Sequence, residues 1–281
     1  MATKRSNQWY ENQKTRDQES RELSESLLGP EKAIFIEVMC LFALRLDSVM
    51  AADYAPGPLG ELAFKRKISL AHYGFNLLWS AWDEALAGRY HTATNHWRSI
   101  DESSDFLLAL EFNPQLADAM TDTTTVPIEA ARRAIKKGLE QASPRKTPDL
   151  VREMRDATQF LQDLSHISVS SLGQYLPVRE KEGGLEAVVR LGGAVSQFML
   201  RHVAISISIS ALKFLMDATG AFYDVVHAEH ELEMNMLHKM REFSAALRRE
   251  REALHDKAPG PVTNIYFARS DEELGSDPAH V

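Results

Sequence analysis

Sulfur chemistry is nearly absent from this sequence, which has one cysteine, Cys40, in 281 residues. A single thiol excludes an intramolecular disulfide. Within its apolar surroundings Cys40 reads as a small buried hydrophobe in a reducing compartment. Also missing are G-x-x-x-x-G-K-[ST], G-x-G-x-x-G after a strand, C-x-x-C and G-x-S-x-G, so phosphate cradling by a glycine-rich loop and the common nucleophile elbows are not expected. No cofactor is implied. The N-terminus MATKRSNQWYENQKTRDQES has no apolar h-region, and the run Val203–Leu212 is too short to span a bilayer. These features predict a soluble cytoplasmic protein without a membrane partner.

Excess positive charge is lacking too. A net charge of −8 argues against a protein that coats nucleic acid non-specifically. The most basic window, Arg132, Arg133, Lys136, Lys137, Arg145 and Lys146, is diluted by Glu129, Glu140 and Asp149. It leaves RNA or a nucleotide as a conceivable partner.

Strand signals are few, whereas helical periodicity runs almost the whole length. Helices are expected over about 8–28, 31–53, 60–87, 89–112, 115–120, 127–141, 148–172 and 195–218, with a long last one over 220–257. Their boundaries fall at Gly29-Pro30, Pro56-Gly57-Pro58, Gly88, Asn113-Pro114 and Pro127, where glycine and proline stop or start helices for known steric reasons. The segment 174–193, with glycine pairs at 183–184 and 192–193, reads instead as a loop or a small β-hairpin near 176–191. VAISISIS, residues 203–210, alternates with period two, yet apolar flanks on both sides favour a buried helix. The fold class is therefore all-α, a multi-helix bundle. Its organisation is a polar N-terminal helix at 1–29, a bundle at 30–219, a long C-terminal helix at 220–257 and a flexible acidic tail at 258–281.

One stretch concentrates polar groups. In the helix over 89–112, His91, Asn95, Arg98, Glu102 and Asp105 fall within an arc of roughly 80° at about 100° per residue. A second stripe, Arg155, Gln159, Gln162 and His166 beside Asp163, steps the same way on the helix over 148–172. If the stripes face one another, Arg98, Glu102, His91 and His166 assemble a fixed cation, a carboxylate and an imidazole. Such a set suits acid–base hydrolysis of an anionic substrate without a metal. The competing reading is a solvated face on which Arg98 and Glu102 form an ordinary i,i+4 pair.

Other histidines carry less. His227, His230, Glu231 and His238 cluster on the last helix, and Glu252-x-x-His255 follows, but a closed metal site needs three or four ligands. No metal is expected. Met236, Met240, Phe243, Leu247, Glu250 and Leu254 step by fours and threes, a short heptad seam with one polar exception. It makes the C-terminal helix the expected surface for a protein partner or for self-association.

Two resemblances bear on function. Arg89 to His96 has the Arg-x(4–6)-His spacing of HEPN-superfamily ribonucleases, helical proteins of toxin and anti-phage systems; Arg248 to His255 repeats that spacing. More broadly, Arg98-x-x-x-Glu102, Asn113-Pro114, the later Ser165-His166 and the glycine-containing extended segment resemble a group of uncharacterised helical prokaryotic proteins. Some of these sit near abortive-infection genes. That similarity covers about residues 30–215 and implies a helical bundle engaged in interaction or regulation, in a defence setting. Its alternative implication is a ribonuclease-like hydrolase using Arg98, Glu102 and His166.

Overall fold

The computed structural model describes residues 2–52, 58–120, 126–142, 178–181, 184–189, 197–222 and 262–267, with further helical residues between 225 and 253. Those residues fold as an all-α multi-helix bundle carrying a small sheet. In chain order the elements are α1 (Ala2–Leu27), α2 (Pro30–Ala51), α3 (Pro58–Leu86), α4 (Tyr90–Phe112), α5 (Leu116–Ala119), α6 (Ile128–Ala142), β1 (Val178–Lys181), β2 (Gly184–Val189), α7 (Gln197–Ala221) and β3 (Val262–Phe267). The segment 143–177, which holds the expected second stripe, lies outside the described residues.

Local chemistry accounts for the boundaries. Pro30 opens α2 directly after Gly29, and proline at a first-turn position loses no helical hydrogen bond. The Glu31 carboxylate accepts from the Gly29 backbone N–H at 3.3 Å, covering one orphan donor. The end of α3 is a Schellman motif. Gly88 adopts φ 71°, its N–H donates to the Ala85 carbonyl at 3.0 Å, and the Arg89 N–H donates to the Glu84 carbonyl at 2.9 Å. The chain thereby reverses within Ala87–Arg89, and α3 and α4 become an antiparallel hairpin with the most extensive contact in the bundle. At the far end of α4, the Asn113 N–H donates to the Ala109 carbonyl at 2.8 Å before Pro114 stops the helix.

Helix α7 is the centre of the core, packed on α4, α2 and α3. Leu200, Val203, Ile207, Phe214 and Leu215 are buried there with Phe35, Val38 and Phe42 of α2, Leu78 and Trp82 of α3, and Trp97 and Ile100 of α4. Aromatic rings tie these layers together. Phe35 stacks on Trp82 at 4.1 Å between ring centres, and Phe42 touches Phe214 at 5.3 Å. Gly74 of α3 lets this happen, since a Cβ there would stand 2.2 Å from the Phe214 ring. The alternating VAISISIS run is helical, as its flanks predict. Ser208, fully buried, donates to the Ala204 carbonyl at 2.8 Å, so the serine is satisfied by its own helix. By length and composition Met199–Ala221 could cross a bilayer, with 61% of its apolar window buried inside the protein.

The hairpin expected near 176–191 is present as β1 antiparallel to β2, with Val178 opposite Ala187. Part of the stretch 258–281 belongs to the same sheet. Residues 262–267, VTNIYF, pair as β3 parallel to β2 and complete a sheet of order β1-β2-β3. β-Branched and aromatic residues in that run favour a strand over a helix. The remaining residues of that tail are outside the described set.

The expected C-terminal helix is represented by helical residues such as Lys239, Phe243, Leu247 and Glu250. Leu247 is 1% exposed within the main core, and Phe243 packs against it. That described part of the heptad seam serves the chain's own bundle. Met236, Met240 and Leu254 lie outside the described residues.

Candidate functional site

The five stripe residues of α4 do not share one environment. At the N-terminal half, His91 is half-buried and Asn95 exposed. Arg98 donates from Nε to Glu102 Oε1 at 2.8 Å, and the two side chains are 56% and 33% exposed. They form the solvent-facing i,i+4 pair that the spacing also allowed. His166 and the helix expected to carry it lie outside the described residues, as do Arg155, Gln159, Gln162 and Asp163. Among the described residues, then, Arg98 and Glu102 meet one another, and His91 joins no ion pair with them.

Asp105, the last stripe residue, behaves differently: its side chain is 5% exposed. Here α6 and α7 both cross α4, and polar groups from all three helices converge. Arg132 of α6 donates from Nε to Asp105 Oδ2 at 2.9 Å and stands 3.7 Å from Asp101 Oδ2. From α7, the Lys213 ammonium lies 3.0 Å from Asp217, 3.6 Å from Asp101 and 3.9 Å from Asp105. It also donates to Ser104 Oγ at 3.0 Å, and the Ser104 hydroxyl donates in turn to Asp217. Three carboxylates thus surround two cations and one hydroxyl.

Electrostatics follow from that count. Burial pushes the Asp105 carboxyl up to about 6; Lys213 pulls it down, Asp101 pushes it further up, and Arg132 pulls it down. Burial alone would lower the Lys213 ammonium, but Asp217, Asp101 and Asp105 outweigh it and hold the group above its usual value. Lys213 is therefore a fixed cation rather than a proton donor, and Asp105 is the group able to change charge in the mildly acidic range.

None of Asp101, Ser104, Arg132, Lys213 or Asp217 stood out as a site residue in the sequence. A signal was nonetheless available. Lys213 and Asp217 stand at i,i+4 in a largely apolar helix, and a charge in such a helix has to find partners. The same rule applies to Arg201 earlier in α7. Its Nε donates to Glu31 Oε1 at 2.7 Å, and Nη2 donates to Glu250 Oε2 at 2.6 Å. Glu31 is fully buried. Burial acts to lower the Arg201 guanidinium, yet Glu31 and then Glu250 hold it raised.

The HEPN-like pair is also placed. Arg89 sits at the head of α4, where its guanidinium is claimed by Glu84 and by Asp17 of α1, the latter at 2.5 Å. His96, seven positions on, is half-buried. Arg89 thus fastens α1 and α3 to the start of α4. Within the basic window, Arg132 is committed to α4, while Lys136 faces Glu140 at 3.9 Å on the surface.

Among the described residues no three His, Cys, Asp or Glu side chains group as a candidate metal site. His227, His230, Glu231, Glu252 and His255 fall outside them. What the arrangement defines is a bundle pinned by interhelical ion networks. No protein-family model, curated protein or solved structure matches the chain.

Proposed function

We propose that the chain acts as a helical binding scaffold, working through protein–protein contact rather than through hydrolysis by Arg98, Glu102 and His166. One observation carries this reading. Helix α2 is apolar on two sides. Its inner side sends Phe35, Val38, Phe42 and Val49 into the core, all at 1% exposure or less. Its outer side presents Ile36 at 39%, Leu44 at 54% and Met50 at 61% exposure, and Cys40, expected to be buried, is exposed there too because it lies on this outer side of the helix. An apolar stripe of this kind on a folded surface is the usual mark of an interaction site.

The charge networks support the same reading. Cations and carboxylates at the crossing of α4, α6 and α7 are engaged with one another, which suits a rigid support. The Arg98–Glu102 pair faces solvent, its side chains 56% and 33% exposed.

The test uses full-length wild type and Leu44→Asp. Retention of a protein by the wild type, another copy of the chain included, with loss in Leu44→Asp is the expected result; the retained protein is then purified and titrated against both. Binding indifferent to Leu44→Asp overturns the reading. So does RNA cleavage by the wild type that His166→Ala abolishes.

A further inference from the structure

We propose that the outer face of α2 seats the same face of a second copy of this chain, with the two α2 helices antiparallel and centred on Cys40. This rests on the binding reading above and names the partner. At about 100° per residue, Ala33, Ile36, Cys40, Leu44, Asp47 and Ala51 fall within an arc of roughly 80°. All six are exposed. A two-fold axis at Cys40 sets each residue against the one equally far on the other side. Ile36 then meets the second copy's Leu44, and Ala33 meets the region of its Asp47. The small side chain of Cys40 at the crossing lets the helix axes approach closely.

Charge selects this pairing over other occupants. Asp47 takes part in no ion pair among the described residues. Lys32 lies at the other end of the stripe, displaced about 80° from its centre line, and Asp47 is displaced about 20° to the same side. A two-fold perpendicular to both helices reverses chain direction but preserves the edge. Each Lys32 is therefore brought beside the other copy's Asp47, twice per dimer. Parallel pairing would set like against like. Lys32 reaches Glu25 at 2.8 Å within one chain, through side chains 34% and 49% exposed, and an exposed pair of this kind is exchanged at small cost. The opposite edge of the stripe is already closed, because Glu37 is held by Lys239.

The size of the surface sets the strength. A helix of 22 residues is about 33 Å long, and one helix face of that length stays under the roughly 800 Å² per partner of a stable complex. The dimer is thus reversible, with half-association expected in the range of about 1–100 µM.

Sedimentation velocity of the full chain across about 1–200 µM should show a monomer–dimer equilibrium. Leu44→Arg should weaken it by at least about tenfold with unchanged helical circular dichroism. Lys32→Asp should weaken it, and the exchange Lys32→Asp with Asp47→Lys should restore it. A short bismaleimide should link the sole cysteine between copies in wild type and in the exchanged variant, and not in Leu44→Arg. A wild type monomeric throughout, association unmoved by Leu44→Arg, or failure of the charge exchange to rescue overturns the proposal. A monomer that still binds another protein through Leu44 discards the second copy and keeps the scaffold reading. A monomer that binds nothing through Leu44 discards both.

Discussion

The Arg132 guanidinium donates to the Asp105 carboxylate at 2.9 Å, and this contact fastens α6 to α4 at the point where α7 crosses them. Buried charge of this kind is more costly to break than to omit, because removing one partner strands the other. Several consequences are measurable.

Stability should depend on Asp105 between about pH 4 and 6. Its folded-state value, about 6, lies above the ordinary 3.8. The folded chain therefore holds a proton that the unfolded chain has released. Stability from this group is present below the unfolded value and is lost as pH rises through the folded one. The shift corresponds to about 3 kcal/mol at most. Urea unfolding at several pH values should show Asp105→Asn gaining on wild type as pH rises over that interval. A constant difference between the two would refute the assignment.

Arg201→Leu should cost about 3–5 kcal/mol, because the fully buried Glu31 loses its counter-charge. Glu250→Gln should cost about 1 kcal/mol or less, since that side chain is 29% exposed. Denaturant midpoints give both values, and equal losses would mean that Glu31 is not the residue at stake.

Gly74→Ala should destabilise even though alanine is the better helix former by about 1 kcal/mol. The new methyl group meets the buried Phe214 ring at 2.2 Å, and overpacking of that kind costs about 1–3 kcal/mol. A raised melting temperature would show that Phe214 can move aside.

Arg98→Ala and Glu102→Ala should each change stability by less than about 0.5 kcal/mol, with the difference fading in high salt. A larger loss would mean that the pair is held by something beyond its own helix.

Much of the bundle was legible in the sequence because its punctuation is steric. Gly29-Pro30, Gly88, Asn113-Pro114 and Pro127 act through backbone geometry that needs no tertiary information. The polar stripe was harder. His91 and Asp105 lie on one side of an ideal helix, but what covers each depends on which neighbours cross α4 at its two ends. Only the C-terminal half meets both α6 and α7, so Asp105 is enclosed while Asn95 and Arg98 stay wet. Helix periodicity carries no such information. The strand at Val262–Phe267 was missed for a related reason, since its register depends on β2, some eighty residues earlier. The α2 stripe was hidden by its own composition: a helix apolar on two sides reads simply as core.

The three-residue reversal at Ala87–Arg89 also orders events in time. It lets α3 and α4 close on one another as soon as both have been synthesised, with almost no loop to order. The slot between them and α2, lined by Phe42, Leu78 and Trp97, stays empty until Phe214 and its neighbours arrive more than a hundred residues later. At about 5–20 residues per second, the nascent chain displays an open greasy trough for several seconds or longer. Chaperone demand should therefore peak in that interval and fall once α7 has left the ribosome.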